Sequence, residues 1–135
     1  MARVIDTSII IELERRGDIA TILMGKINGE SIVISTITAS ELLVGVERAA
    51  PGARRLQREK FVETLLARIP VLPFDLPAAR LFAQLWALLL ARGQSIAQND
   101  LMIAAIALAY DYPIMTYNLR HFQRVPGLNV VELEV

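Results

Sequence analysis

The chain has 135 residues, of which 54% are hydrophobic, and these values predict one domain over residues 1–135 with a sizeable core. Its 14 lysine and arginine residues balance 14 aspartate and glutamate residues, so the whole chain has no strong field to attract a polyanion. The absence of cysteine excludes disulfides, thiolate nucleophiles and cysteine-ligated zinc, and it suits the cytoplasmic location that we expect.

The N-terminal half of the chain predicts two strands, each followed by helices. Residues 3–5 form a short buried strand that stops at Asp6, and a helix over residues 8–15 follows. Asp18 is predicted to cap a second helix that runs to residue 26. The β-branched run over residues 31–35 predicts the second strand, and helices are expected over residues 38–49 and 54–68.

The C-terminal half continues the alternation of strands and helices. Two prolines within residues 69–75 place any strand there at a sheet edge, and Asp75 is predicted to cap a helix over residues 76–92. The next helix contains an apolar run over residues 101–110, too short for a membrane span of roughly 18–20 residues. Strands over residues 114–116 and 129–135 complete a predicted three-layer α/β/α sandwich around a central parallel sheet.

Polar side chains follow the predicted strands at the edge where open parallel sheets bind ligands. Asp6 follows the first strand, Glu41 lies on the helix after the second, and Asp100 begins the helix that leads to the strand at 114–116. We therefore expect these three carboxylates, from distant parts of the chain, to converge. The hydroxyl, amide and imidazole candidates at this edge are Thr7, Ser8, Thr36, Thr38, Thr116, Asn118 and His121.

Each carboxylate also has a purely structural interpretation. Asp6 and Asp100 suit helix N-caps, and Glu41 has the spacing of a capping box with Thr38. The three together favour a site, because buried carboxylates need partners and no lysine follows a predicted strand. Mg²⁺ or Mn²⁺ would satisfy oxygen ligands, whereas the lone His121 cannot make a histidine zinc site.

Four segments resemble PIN-domain proteins in their order and spacing, most closely the VapC-type toxins of toxin–antitoxin modules. They are "VIDTS" at 4–8, "ELLVG" at 41–45, "NDLMIAAIA" at 99–107 and "TYNLRHF" at 116–122. The resemblance implies a metal-dependent endoribonuclease that cuts structured RNA and is held inactive by a cognate antitoxin. It carries the acidic metal site over to Asp6, Glu41 and Asp100.

Further residues receive roles around that acidic site. Thr7, Thr116 and Asn118 are candidates for orienting the carboxylates or contacting phosphate, and His121 would meet the RNA backbone together with Arg120 and Arg124. Family members often carry a fourth acidic residue where this chain has His121, which weakens the expectation of a second tightly held metal.

The two helices predicted before residue 27 carry more apolar residues than one core requires. These residues are Ile9, Ile10, Ile19, Ile22 and Leu23. Core packing is their ordinary explanation, but in the resembled family such helices help to form the antitoxin groove and the homodimer contact. The expected partners are therefore RNA, an antitoxin and a second copy of the chain.

Other classes of α/β protein lack support in the sequence. A response-regulator receiver needs a lysine after a late strand, and a haloacid-dehalogenase-type phosphatase needs an aspartate where Ser8 stands. Neither a phosphate-binding G-x-x-x-x-G-K-[ST] loop nor a G-x-S-x-G nucleophile motif is present. The remaining alternative is a catalytically degenerate PIN-fold binding module, which metal-dependent RNA cleavage would distinguish.

Overall fold

A mostly parallel sheet runs through the computed structural model, which describes residues 2–133. Its strands lie in the order β2-β3-β1-β5-β6, with β4 also paired to β3. Every pairing is parallel except that of β2 with β3. The strands are β1 (Arg3–Ile5), β2 (Lys26–Ile27), β3 (Glu30–Ser35), β4 (Val71–Leu72), β5 (Ile114–Met115) and β6 (Val130–Val131).

Helices cover both faces of this sheet. They are α1 (Thr7–Arg15), α2 (Ile19–Leu23), α3 (Thr36–Arg48), α4 (Ala53–Arg68), α5 (Leu76–Ala91), α6 (Gln98–Ala109) and α7 (Leu119–Phe122). No helix among residues 2–133 is long and apolar enough to cross a membrane.

Two hydrophobic clusters separate the layers, because successive strand side chains point to opposite faces of a sheet. Ile5 of β1 belongs to a cluster with residues from α1, α2, α3 and α4. Its neighbour Val4 belongs to the other cluster, with residues from α5 and α6. The predicted three-layer sandwich is confirmed. The apolar helix α6 is wedged against the sheet, with residues 103–107 all buried.

The prediction of a helix up to residue 26 is wrong, and the predicted parallel sheet carries one antiparallel pairing, that of β2 with β3. Helix α2 ends at Leu23, and Gly25 follows with φ +76°. Lys26 instead begins β2, which turns through Asn28 and Gly29, both at positive φ, into antiparallel pairing with β3. An Asn-Gly pair is a strong signal for a two-residue hairpin turn, and the helical pattern before it concealed that signal.

Smaller differences concern the ends of elements. The predicted edge strand is present as β4, which is paired only to β3. The last predicted strand, over 129–135, is limited to Val130–Val131 within the described chain, and residues 134–135 lie outside the described residues. The sequence did not predict the short helix α7.

Candidate functional site

The carboxyl ends of β1, β3 and β5 meet at one edge of the sheet, because these three strands are adjacent and parallel. Asp6 follows β1 directly and Thr116 follows β5. Helix α3 begins immediately after β3 and carries Glu41 in its second turn. The predicted location of the site is therefore the place where the fold brings these side chains together.

Asp6 is buried, with 3% of its surface exposed, and every hydrogen bond to its carboxylate comes from a neutral donor. The backbone N–H and the hydroxyl of Ser8 donate to Oδ1 at 3.1 and 2.5 Å. The Thr116 hydroxyl donates to Oδ2 at 2.7 Å. Asp6 is thus the N-cap of α1, as its structural interpretation predicted, and both of its oxygens are held in place.

Burial raises the pKa of Asp6, and the nearby charge of Asp100 raises it further. The hydrogen bonds from Ser8 and Thr116 lower it, without reversing the effect of burial. When Asp6 is ionised, neutral hydrogen-bond donors hold its carboxylate in position, but no cationic side chain among residues 2–133 balances its charge.

Asn118 connects Asp6 to Asp100. Its backbone N–H donates to the Thr116 hydroxyl at 2.8 Å, and its side-chain Nδ2 donates to Oδ2 of Asp100 at 3.1 Å. The same Nδ2 lies 2.9 Å from Nδ1 of His121. Because an amide nitrogen only donates, Nδ1 accepts and neutral His121 carries its proton on Nε2. One network thus contains Asp6, Thr116, Asn118, Asp100 and His121.

Glu41 is oriented by Thr7, whose hydroxyl donates to Oε1 at 2.6 Å. The predicted capping box with Thr38 is wrong, because the N-cap of α3 is Ser35, whose hydroxyl accepts the Thr38 backbone N–H at 3.0 Å. Asp100 is not an N-cap either, since that position in α6 belongs to Ala97 and Asp100 lies in the first turn. Both carboxylates are thus free of the capping roles that competed with a site.

Asp6, Glu41 and Asp100 form an acidic group. Asp100 interacts electrostatically with each of the other two carboxylates. Burial raises its pKa, the charge of Glu41 adds to this, and His121 and Asn118 oppose it. Among residues 2–133, no lysine or arginine forms an ion pair with any of the three carboxylates. Asp100 has a titratable neighbour in His121, whose Nδ1 lies 3.8 Å from Oδ2 of Asp100.

The donor set of this acidic group suits a hard divalent cation that keeps part of its water shell. Within residues 2–133, no three Asp, Glu or His side chains are already arranged as a metal-binding group. Mg²⁺ commonly binds through one or two carboxylates and retains several waters, so it does not need a closed protein cage. Oxygen ligands without a cationic side chain to balance them fit that mode of binding.

Two further candidate residues, Thr36 and Arg124, make structural hydrogen bonds. The hydroxyl of Thr36 accepts the backbone N–H of Phe74 at 3.2 Å and so fixes the loop before α5. Arg124 donates to the carbonyl of Ser95 at 2.7 Å, which joins two loops. Ser8, which the sequence placed at this edge without a role, is a main partner of Asp6. An aspartate two residues before a serine at a helix start is the signal that indicates this bond.

Comparisons of this chain with a family model and with known proteins agree on one family. The PIN domain model matches residues 3–128. Ribonuclease VapC of Rickettsia bellii is 37% identical over 97% of this chain and 96% of its own length. The tRNA(fMet)-specific endonuclease VapC of Salmonella typhimurium is 35% identical over 77% of this chain and 76% of its own.

A solved structure agrees with these matches. VapBC-5 of Mycobacterium tuberculosis, a member of the VapBC family of toxin-antitoxin systems, superposes with a TM-score of 0.71 at 29% identity. That comparison covers 99% of this chain and 98% of the other. With this fold and these relatives, the chain belongs to the PIN domain family and to its VapC type.

Proposed function

We propose that this chain is a metal-dependent endoribonuclease, the toxin of a toxin–antitoxin module, and that it hydrolyses phosphodiester bonds in structured RNA. The observation that carries the proposal is the buried Asp6 carboxylate, which has no cationic partner among residues 2–133 and is linked through Thr116 and Asn118 to Asp100. The names of its VapC relatives support RNA as the substrate class.

Asp6, Asp100 and Glu41 are the residues that would hold Mg²⁺ or Mn²⁺. When bound, the cation would supply Lewis acidity, lowering the pKa of water and balancing charge on the scissile phosphate. Thr7 fixes one oxygen of Glu41, so this carboxylate is held ready to accept a proton. Asp100 is the second candidate base, because its pKa is raised.

The reaction is hydrolysis of a P–O bond. Water adds to phosphorus and loses a proton to Glu41 or Asp100, and the bond to the 3′ oxygen breaks. The 3′ oxygen takes up a proton, which leaves a 5′-phosphate and a 3′-hydroxyl as products. At the rim, the His121 Nε2–H is a suitable donor to the RNA backbone.

Cleavage of a folded RNA by the purified chain tests this proposal. We expect cleavage in Mg²⁺ that stops with EDTA, and a loss of at least about 100-fold in Asp6→Asn and Asp100→Asn, because each ligand is essential. Asp75→Asn is the matched control, since Asp75 is a capping carboxylate of α5. Parent-like cleavage by Asp6→Asn would overturn the assignment, and a degenerate binding module would cleave in no condition.

We also propose that an antitoxin binds the groove between α1, α2 and α4. Ile9, Ile10 and Ile22 are fully buried, so core packing accounts for them. Ile19 instead lines a cavity of ≈ 550 Å³ together with Glu14, Ala49, Arg54, Gln57, Arg58 and Phe61. Arg58 Nε is buried there without a hydrogen-bond partner among residues 2–133. A binding partner that brings a hydrogen-bond acceptor into the groove would satisfy this atom.

A homodimer and a cytoplasmic location complete the proposal. Helix α5 presents Leu76, Trp86 and Leu90 to solvent with 62%, 55% and 63% of their surface exposed, an apolar face that a second copy would cover. Cellular RNA as substrate supports a cytoplasmic location. The organisation of residues 1–135 as one domain stays a prediction.

A further inference from the structure

Tyr117 is an exposed aromatic residue between Thr116 and Asn118, which belong to the hydrogen-bond network that links Asp6 to Asp100. It is 37% exposed, whereas the preceding Thr116 is fully buried. The Tyr117 ring stacks on none of the other aromatic rings of the described residues. Within residues 2–133 its phenol also makes no hydrogen bond, so no hydrogen bond accounts for the polar end of this side chain.

The backbone of Tyr117 is nevertheless fixed to the acidic group. Its N–H donates to the Ser8 hydroxyl oxygen at 3.1 Å, and that hydroxyl donates to Asp6 Oδ1 at 2.5 Å. These two bonds fix the Tyr117 backbone beside Asp6, and the ring extends from that fixed point. Recognition surfaces use such rigid aromatic groups, because little conformational freedom is lost when a ligand covers them.

Arg15 supplies a cation on the same part of the surface. The hydrogen bond to Glu12 raises the pKa of the Arg15 guanidinium, and a smaller electrostatic effect of the Tyr117 phenol places the two side chains within range of each other. The Arg15 side chain is 71% exposed, so it is accessible to a ligand. Arg16 makes the same kind of bond to Glu12, but no interaction of Arg16 with Tyr117 is present in the described chain.

We infer that Tyr117 is the stacking platform for one unpaired nucleobase beside the scissile phosphate, and that Arg15 contacts an adjacent phosphate. This inference rests on the proposed nuclease function and specifies its substrate as RNA with a splayed-out base at the cleavage point. Bases in loops and bulges are accessible for stacking on aromatic side chains, whereas the major groove of an A-form helix is too narrow to be read. A chain without net charge needs such local contacts to hold a polyanion.

Steady-state cleavage of a hairpin RNA by Tyr117→Leu and Tyr117→Phe tests the platform. We expect Tyr117→Leu to raise KM about 5- to 100-fold with kcat nearly unchanged, because stacking contributes on this scale to binding. Tyr117→Phe should match the parent, since stacking needs the ring and not the hydroxyl. A parent-like KM in Tyr117→Leu would overturn the inference and leave the ring to a protein partner. A loss in Tyr117→Phe equal to that in Tyr117→Leu would also overturn it.

An abasic nucleotide next to the mapped cleavage point provides the second arm. It should raise the KM of the parent by the same factor, and it should add nothing to Tyr117→Leu, because both changes remove one contact. Additive losses would contradict the pairing of this base with Tyr117. Arg15→Gln should weaken binding and reduce the salt dependence by about one phosphate contact, whereas the matched control Arg16→Gln should not.

Binding without cleavage separates this inference from the proposed function. RNA with 2-aminopurine at the same position should lose fluorescence on binding Asp6→Asn and keep it with the Asp6→Asn, Tyr117→Leu double variant. Quenching without any cleavage by the parent would leave the base platform standing and reject the nuclease. Cleavage by the parent without Tyr117-dependent quenching would support the nuclease and reject the base platform.

Discussion

Asp6 and Asp100 are ionisable groups that the fold destabilises in their charged form. Burial is the main cause for both, and each also feels the charge of another carboxylate of the site. The folded state therefore holds these protons to higher pH than the unfolded state does. The stability contributed by this difference is present below the unfolded pKa, about 3.9, and is lost as pH rises through the folded pKa.

We expect Asp100→Asn to melt a few degrees above the parent at neutral pH in metal-free buffer. Asparagine carries no charge and can still accept the hydrogen bond from Asn118. The advantage should disappear below about pH 4, where the carboxyl of the parent is protonated in both states. Scanning calorimetry over this pH range measures it, and an advantage independent of pH would contradict the electrostatic cause.

Mg²⁺ should raise the melting temperature of the parent in proportion to its occupancy of the acidic group. A ligand that binds only the folded state adds about 2.7 kcal/mol at 100 times its Kd. Asp100→Asn should lose most of this response, while Asp75→Asn, altered at the cap of α5, should keep it. An equal response to Mg²⁺ in Asp100→Asn and the parent would show that the cation binds elsewhere.

The capping residues show how far single residues could be interpreted from sequence. Asp6, Asp18 and Asp75 were expected at helix starts, and each is an N-cap. Capping was the competing interpretation of Glu41 and Asp100, and neither is an N-cap, because Ser35 and Ala97 begin those helices earlier. The residue at which a helix begins depends on how the tertiary structure places the preceding strand or loop. The local spacing of residues does not contain that information.

At the scale of elements, α1 and α4 are joined by a half-buried ion pair between Glu14 Oε1 and Arg58 Nη2, 2.7 Å apart. Glu14→Gln should lower the free energy of unfolding by about 1 kcal/mol, since it leaves a partly buried guanidinium without its counter-charge and solvent screens only part of the loss. Urea unfolding measures the difference.

Glu47→Gln is the matched control for that change. Glu47 pairs with Arg55 at 3.1 Å, but its side chain is 77% exposed, so we expect an effect close to zero. Equal losses in the two variants would mean that the position of α1 against α4 does not depend on the Glu14 pair.

Most strands and helices were predictable as elements, and two of the shortest, β2 and α7, were not. Strand β1, strand β3 and the helices α3 to α6 follow from periodicity and caps. Strand β2 has two residues and helix α7 has four, about one period of each structure, so neither contains a repeating pattern. They form because the neighbouring β3 and the Asn118 network hold them, which are tertiary causes.

At the scale of the whole molecule, convergence of the acidic residues was predictable but their connections were not. Because β1 and β5 are adjacent and parallel, Asp6 and Thr116 lie at the same edge of the sheet, independently of the contacts of their side chains. That Asn118 bridges Thr116 and Asp100, and that Thr7 holds Glu41, depends on side-chain positions that only packing determines.

The apolar face of α5 leads to a prediction for the assembled molecule. If a second copy covers this face, Trp86→Glu should shift the chain from dimer to monomer in light scattering after gel filtration, because a buried unpaired charge opposes association. Leu56→Glu, at a residue that is 67% exposed on α4, should leave the mass unchanged. A dimer that persists in Trp86→Glu would place the contact on another face.

The two short strands beside β3 have a consequence for aggregation. Strand β2 pairs with the beginning of β3 and strand β4 with its end, so two-residue strands cover an edge that a six-residue strand would otherwise expose. Pro70 and Pro73 flank β4, and Lys26 lies in β2. Short, charged or proline-flanked edges cannot template the pairing of further strands. A toxin released from its partner would therefore have this side of its sheet protected against edge-to-edge polymerisation.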